Sequence, residues 1–195
     1  GSISDFLGAW KALEVLAIDI PIGLPEGTEH RQCDLAAKEF LKPRSSTVFF
    51  TPPRAVLEET GYKQANQLSR RRYQRGVSAQ AYALGQKILE VDPIAANDDR
   101  IVEGHPEVSF RVMKGGPLSF SKKTWNGQME RRSLLRDQGI KIPDDLGKAG
   151  KTPPDDIIDA AAAAWTAWRV SKREARTLPE SATRCARSRR GVIWY

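Results

Sequence analysis

Asp19 stands in an otherwise apolar run, Val15-Leu16-Ala17-Ile18-Asp19-Ile20-Pro21-Ile22. A carboxylate in such a run is costly to bury unless it is paired, hydrogen-bonded or bound to a cation. Perturbed acids gather at functional sites, which makes Asp19 a candidate; the plainer alternative is an Asp that caps the turn before Pro21. A second group of acids falls in Asp155-Asp156-Ile157-Ile158-Asp159. On a helix Asp156 and Asp159 share a face, as do Asp155 and Asp159, and a bound cation relieves their repulsion. Acids at a helix N-terminus are also favoured by its dipole, which accounts well for Asp155 and less well for Asp159, beyond the first turn. Asp19, Asp156 and Asp159 are therefore the candidate metal ligands, with oxygen donors that suit Mg²⁺ or Mn²⁺.

A third group is Glu103-Gly104-His105-Pro106-Glu107. An extended segment aligns alternate residues, which would bring Glu103, His105 and Glu107 to one face unless Pro106 breaks it. His105 then suits a general acid or base and Glu107 an auxiliary carboxylate; the competing reading is a polar strand end. Arg44, Lys122, Lys123 and Arg131 are candidates to neutralise phosphate oxygens, although loop lysines are common for other reasons. His30 has no such company and reads as ordinary surface. Neither a P-loop, GxGxxG nor GxSxG is found, which argues against P-loop NTPase, dinucleotide-binding and serine-hydrolase classes.

The elements that must position these groups follow from patterning. A chain of 195 residues with 40% hydrophobic and 28% charged content reads as one domain over 3–195 with a real core. Gly1-Ser2 reads as a remnant of tag cleavage. No stretch approaches about 18 apolar residues, and no signal peptide opens the chain, so a cytoplasmic protein without membrane contact is expected. Cys33 and Cys185 form no CxxC pair, which fits a reducing compartment. The net charge of +7 and the clusters Arg70-Arg71-Arg72 with Arg75, and Arg184, Arg187, Arg189 and Arg190, suit a nucleic-acid partner or a solvated basic face.

Residues 5–13 predict a short helix, 15–20 a buried central strand, and 29–41 a helix. An irregular loop is expected over 42–54, and a mostly helical stretch over 55–91 broken near Gly76. A strand is expected at 100–103 and a helix at 130–138 stopped by Gly139. The last long helix is expected to begin at Pro153, with Thr152 as N-cap and Asp155 completing a capping box, and to run to about Arg169. A short strand is expected at 191–195.

Several of these motifs, in this order, resemble the predicted ribonuclease H-like nucleases known as domain of unknown function (DUF) 429. They are Ile18-Asp19-Ile20-Pro21-Ile22-Gly23-Leu24, Arg31 with Asp34, Ser46 with Val48-Phe49 and Pro53, Gln80, and Glu90-Val91-Asp92. Further along come Glu103-Gly104-His105-Pro106-Glu107, Lys122-Lys123-Thr124, Asp155-Asp156 with Asp159-Ala160, and Ile193-Trp194-Tyr195. The resemblance implies an α/β, ribonuclease H-like fold: a mixed sheet flanked by helices, here with a helical insertion. It matches Asp19 to the acid of the central fourth strand. The D-x-x-D-A spacing of Asp156, Asp159 and Ala160 is similar to that of Holliday-junction resolvases. The activity implied is two-metal hydrolysis of phosphodiester bonds.

One departure bears on activity. The family's first strand carries an Asp and opens a meander, and nothing before Asp19 matches it, so the N-terminal hairpin strands are expected to be absent. The central strand would then keep an open edge, which invites a homo-oligomer. The expected function is a metal-dependent nuclease, with Asp19, Asp156 and Asp159 as ligands and Glu107 and His105 beside them. The alternative is a catalytically inactive nucleic-acid-binding module of the same fold. A phosphotransferase of this superfold would need glycine turns for phosphate that are not evident.

Overall fold

Leu16–Ile18 (β1) and Ile101–Glu103 (β2) lie parallel in the computed structural model, in the register Leu16↔Ile101, Ala17↔Val102 and Ile18↔Glu103. The structure describes residues 3–10, 12–180 and 191–195. Cys185 and the basic residues Arg184, Arg187, Arg189 and Arg190 lie outside the described residues. All of β2 is buried, as expected for a parallel strand covered on both faces. A second, antiparallel pair joins Thr177–Leu178 (β3) to Ile193–Trp194 (β4). A parallel bridge between Gly104 and Trp194 ties this pair to the end of β2.

The chain is thus α/β, with a small sheet inside a largely helical body. Among the described residues β1 pairs only with β2, so it is an edge and not the centre of a broad mixed sheet. Ile3–Ala9 (α1) packs Ile3 and Leu7 into the cluster that holds Leu16 and Ile18. No helix among the described residues is long and apolar enough to cross a membrane.

Parallel strands require a long crossover. Here it is helical, through Gln32–Phe40 (α2), Arg54–Leu57 (α3), Tyr62–Tyr73 (α4), Ala79–Ala83 (α5) and Gly85–Ala95 (α6). The break expected near Gly76 begins at Gln74, whose φ of 57° ends α4 in the left-handed region.

Pro106–Lys114 (α7) was not expected from the sequence pattern. His105 is its N-cap and Pro106 its first helical residue, where a missing N–H costs nothing and φ is already set. Glu103, in a strand, and Glu107, on a helix, therefore do not share an extended face. Trp125–Asp137 (α8) starts five residues earlier than periodicity suggested, because Thr124 caps it by accepting from the Gly127 amide at 3.1 Å.

Pro154–Ser171 (α9) also departs from expectation at its start. Pro153 takes the N-cap, no side chain caps the helix, and the predicted Thr152–Asp155 capping box does not form. Beyond that turn Ile158, Asp159, Ala162, Trp165 and Thr166 are buried at helical spacing. This face packs on α7, α8 and β1. Small residues permit the close approach: a Cβ added to Gly104 would lie 3.7 Å from both Ala17 Cβ and Thr166 Cγ2. The hydroxyls of Ser109 on α7 and Thr166 on α9 share a hydrogen bond of 2.8 Å.

Gly127 makes the tightest such approach, since an added Cβ would fall 1.8 Å from the Ser121 carbonyl oxygen. Gly127→Ala is expected to lower unfolding stability by roughly 1–3 kcal/mol, because the 121–124 loop must move. Gly8→Ala on α1, where nothing lies within 4 Å of the new carbon, is expected to be neutral or to gain up to about 1 kcal/mol. Urea denaturation of both variants checks this, and equal midpoints would show that the loop is not pinned there.

Candidate functional site

The carboxyl ends of β1 and β2 open into one cleft, lined by Asp19, His105, Glu107, Lys122 and Asp159. Clefts at this end of parallel strands are where α/β proteins commonly bind ligands. Asp19 directly follows β1, His105 follows β2 by two residues, and Glu107 lies in the first turn of α7. Asp159 lies on the buried face of α9, and Lys122 comes from the loop before α8. The cavity holds about 170 Å³, less than the roughly 300–1,000 Å³ of a pocket that encloses a whole drug-sized ligand. It can take one segment of a larger molecule.

Charge in this cleft is unbalanced. Lys122 Nζ donates to Asp159 Oδ2 at 2.6 Å. Burial works against the ammonium, but Asp159, Asp19 and Glu107 outweigh it and carry its pKa above the ordinary lysine value. Asp159 is also shifted upward, by burial first; Lys122 opposes that shift, while Asp19 and Glu107 add to it. Burial therefore outweighs the ion pair with Lys122, and the neighbouring carboxylates Asp19 and Glu107 add to the upward shift. Asp159 Oδ1 is buried without a hydrogen-bond partner.

Asp19 is reachable from solvent. The surrounding protein nevertheless raises its pKa; His105 and Lys122 oppose the shift and Glu107 reinforces it. The two observations agree for a carboxylate on the floor of an open cleft. Glu107 is buried and held from behind by Arg131, whose Nη2 donates to both carboxylate oxygens at 2.7 and 2.9 Å and whose Nε donates at 3.1 Å. His105 is half-buried, and its Nδ1 has no partner.

Beside this open group lies a closed one. The Arg31 guanidinium donates to Glu103 through Nη1 and Nη2, both at 2.8 Å, and to Asp34 through Nε and Nη2 at 3.0 and 2.5 Å. Glu103 Oε2 also accepts from the Ile22 amide at 2.8 Å, and Asp34 Oδ2 from the Thr51 amide at 2.8 Å. Burial opposes the charge on Arg31, yet Glu103 and Asp34 hold its pKa well above the ordinary range. Among the described residues, Cys33, Asp34 and Glu103 are the group of three donors that converges within 4.8 Å. The guanidinium already fills that group, and burial pushes the Cys33 thiol up, away from the thiolate that a metal needs. Asp19, Glu107 and Asp159 surround Lys122 more loosely.

Sequence reasoning named Asp19, His105, Glu107, Lys122 and Asp159, and all five line the cleft. Asp156 does not: it is exposed on the outer side of α9's first turn and is absent from the lining. Asp155 pairs with Lys123, whose ammonium holds its pKa below the usual carboxylate range. Arg131, expected to meet phosphate, is 1% exposed and is consumed by Glu107 and by the Gly127 and Phe120 carbonyls. Arg44 is half-buried and donates to the Ser119 carbonyl at 3.0 Å. His30, read as ordinary surface, stacks on Phe50 and faces Arg75 Nη1 at 3.1 Å. Arg31 and Asp34 enter the sequence reading only through the family resemblance, and Glu103 only as a neighbour of His105 and Glu107, without a role of its own. The signal for Glu103 was present, since an acid in Ile101-Val102-Glu103 is the same anomaly as Asp19.

The family described as "Protein of unknown function (DUF429)" matches over residues 1–184. Neither a curated protein nor a solved structure matches.

Two measurements probe these clusters. Arg31→Met strands two buried carboxylates and is expected to cost about 3–5 kcal/mol in urea denaturation; a loss below about 1 kcal/mol would mean that Asp34 and Glu103 are solvated in solution. Glu130 anchors the loop of Lys122 from α8. Burial would raise its pKa, but Lys114 and the Ser119 and Phe120 amides bring it from 4.5 down to about 2. A depressed carboxylate contributes stability above its unfolded pKa and loses it as pH falls, here from about 4.5 to about 2. The contribution is on the order of 2–3 kcal/mol. Glu130→Gln should flatten the acid limb of stability against pH, and an unaltered limb would remove Glu130 from this role.

Proposed function

This chain belongs to the DUF429 family, and we propose that it is a metal-dependent nuclease that hydrolyses phosphodiester bonds in the cleft of Asp19, Glu107 and Asp159. The observation that carries the reading is the charge excess there. Arg131 pairs with Glu107, so the single Lys122 ammonium is left to serve both Asp19 and Asp159, and a buried Asp159 oxygen has no partner. Hard oxygen donors with unrelieved repulsion suit Mg²⁺ or Mn²⁺. We also read the fold as ribonuclease H-like, supported by the parallel β1–β2 pair, an acid leaving β1, and a second acid on the long helix packed against that strand. Asp156, exposed, drops out of the ligand set, and Glu107 takes its place beside Asp19 and Asp159.

When bound, such ions activate water and stabilise the leaving oxygen. The chain's own residues supply the rest. Asp19 presents its oxygens from the bend that directly follows β1, and Asp159 from the buried face of α9 packed against that strand. Arg131 holds Glu107 in one orientation, with Nε donating to Oε1 and Nη2 to Oε2. His105, half-buried in the cleft wall, is the group that can give a proton to a leaving alkoxide or take one from water. Lys122 offers positive charge to a non-bridging phosphate oxygen. The small cavity suits one phosphodiester and its sugars, and the net charge of +7 draws the rest of a polyanion to the surrounding surface.

A nucleic-acid-binding module without turnover is the second reading. It is favoured by Lys122 and Arg131, each already engaged with a carboxylate of the cleft.

Calorimetry with Mn²⁺ and cleavage assays on RNA, DNA, hybrids and branched junctions test the proposal. Changes behind a metal ligand cost roughly 10–100-fold in affinity or activity, so Asp19→Asn and Asp159→Asn should each lose more than about 100-fold. Asp156→Asn should retain both metal binding and cleavage. Equal behaviour of all three variants and the parent would remove the metal site from this cleft, and salt-sensitive binding without cleavage would leave the module reading.

A further inference from the structure

Lys122 is placed to do more than balance charge. Its ammonium lies 2.6 Å from Asp159 Oδ2, and its side chain remains 34% exposed to the cleft. The backbone that carries it is fixed at both ends. Glu130 accepts from the Ser119 and Phe120 amides, Arg44 donates to the Ser119 carbonyl, and the Thr124 hydroxyl donates to the Ser121 carbonyl. Gly127 lets α8 pack directly against Ser121. The loop is therefore rigid, while the ammonium rides on a flexible four-carbon stem and can change partners without moving it.

Asp159 has the complementary arrangement. It is 8% exposed and fixed on α9, with one oxygen on Lys122 and the other buried and unpartnered. An ammonium and a divalent cation repel each other, so they compete for this carboxylate. A phosphate is an equally good acceptor for the ammonium.

We propose that Lys122 is a counter-ion gate: its ammonium holds Asp159 against loading by a divalent cation, and a phosphodiester entering the cleft draws it off. Metal and nucleic acid then strengthen each other's binding, and by linkage the factor is the same in both directions. The gate rests on the reading of Asp19 and Asp159 as metal ligands. It deepens that reading by making metal occupancy depend on substrate.

The test is calorimetric titration of Mn²⁺ into the full chain, Lys122→Gln and Asp159→Asn. Each is measured with and without a single-stranded phosphorothioate decanucleotide that resists cleavage. Asp159→Asn with the oligonucleotide gives the background of Mn²⁺ held by the strand. The parent chain should gain Mn²⁺ affinity on adding the oligonucleotide, by a factor within the usual coupling range of about 5–150-fold. Lys122→Gln should bind Mn²⁺ at least about fivefold more tightly than the parent without oligonucleotide, and adding the strand should change its affinity less than about twofold.

Loss of a positive charge alone would raise affinity but leave the coupling intact. Coupling retained in Lys122→Gln, or an affinity equal to the parent's, would therefore overturn the gate; the metal site would still stand if Asp159→Asn lost binding. Absence of Mn²⁺ binding in the parent and in Lys122→Gln, with and without the strand, would overturn both.

Discussion

The Arg31 guanidinium, buried between Glu103 and Asp34, is the interaction on which the cleft depends. It joins three parts of the chain that local propensity leaves independent. Glu103 ends β2, Asp34 opens α2, and Ile22, whose carbonyl accepts from Arg31 Nη1 at 3.0 Å, lies on the exit from β1. Glu103 returns to the same exit through the Ile22 amide, and Asp34 takes the Thr51 amide of the following loop. A chain leaving a short parallel strand through Pro21 has few backbone hydrogen bonds of its own. Here side-chain charge replaces the missing ladder, and it fixes where Asp19, two residues before Pro21, projects.

On the opposite wall the constraint is packing rather than charge. Alanines and Gly104 bring α9 close to β1, and the Ser109–Thr166 hydrogen bond locks α7 to the same helix. Asp159 and Glu107 are thus carried by elements that cannot shift independently. The exposed parts of the site are few: Asp19 at the cleft floor and the flexible stem of Lys122. A site whose ligands are rigid and whose counter-ion is flexible is suited to exchanging one cation for another.

What the sequence made legible were anomalies of residue type. An acid in an apolar strand and an acid past the first turn of an alanine-rich helix are both locally unfavourable, and both line the cleft. The positions of β1, β2 and the long last helix were also readable, because periodicity and proline punctuation are local. The errors have a common physical cause. Asp156 and Asp159 are equally acidic in sequence, and only the rotation of α9 against β1 decides that one is buried and the other exposed. Arg131 reads as a phosphate ligand until α7 is seen to bring Glu107 onto it. The start of α7 was hidden in a segment that pattern alone treats as extended, and the breadth of the sheet was inferred from resemblance rather than from strand signals.

The distribution of cation types explains how a chain with a net charge of +7 maintains an acidic cleft. Arginine is used where carboxylates must be immobile: Arg31 on Asp34 and Glu103, and Arg131 on Glu107. Its planar fork matches carboxylate geometry, remains charged, and loses little freedom once docked. Lysine is used at Asp159, where the contact is a single point charge with a half-open side chain. Had Arg stood at 122, two parallel hydrogen bonds would lock Asp159 as Glu107 is locked, and that carboxylate would not be free for another partner. The choice of lysine at that one position leaves the carboxylate pair of Asp19 and Asp159 able to change state, while the arginines hold fixed the geometry in which the change occurs.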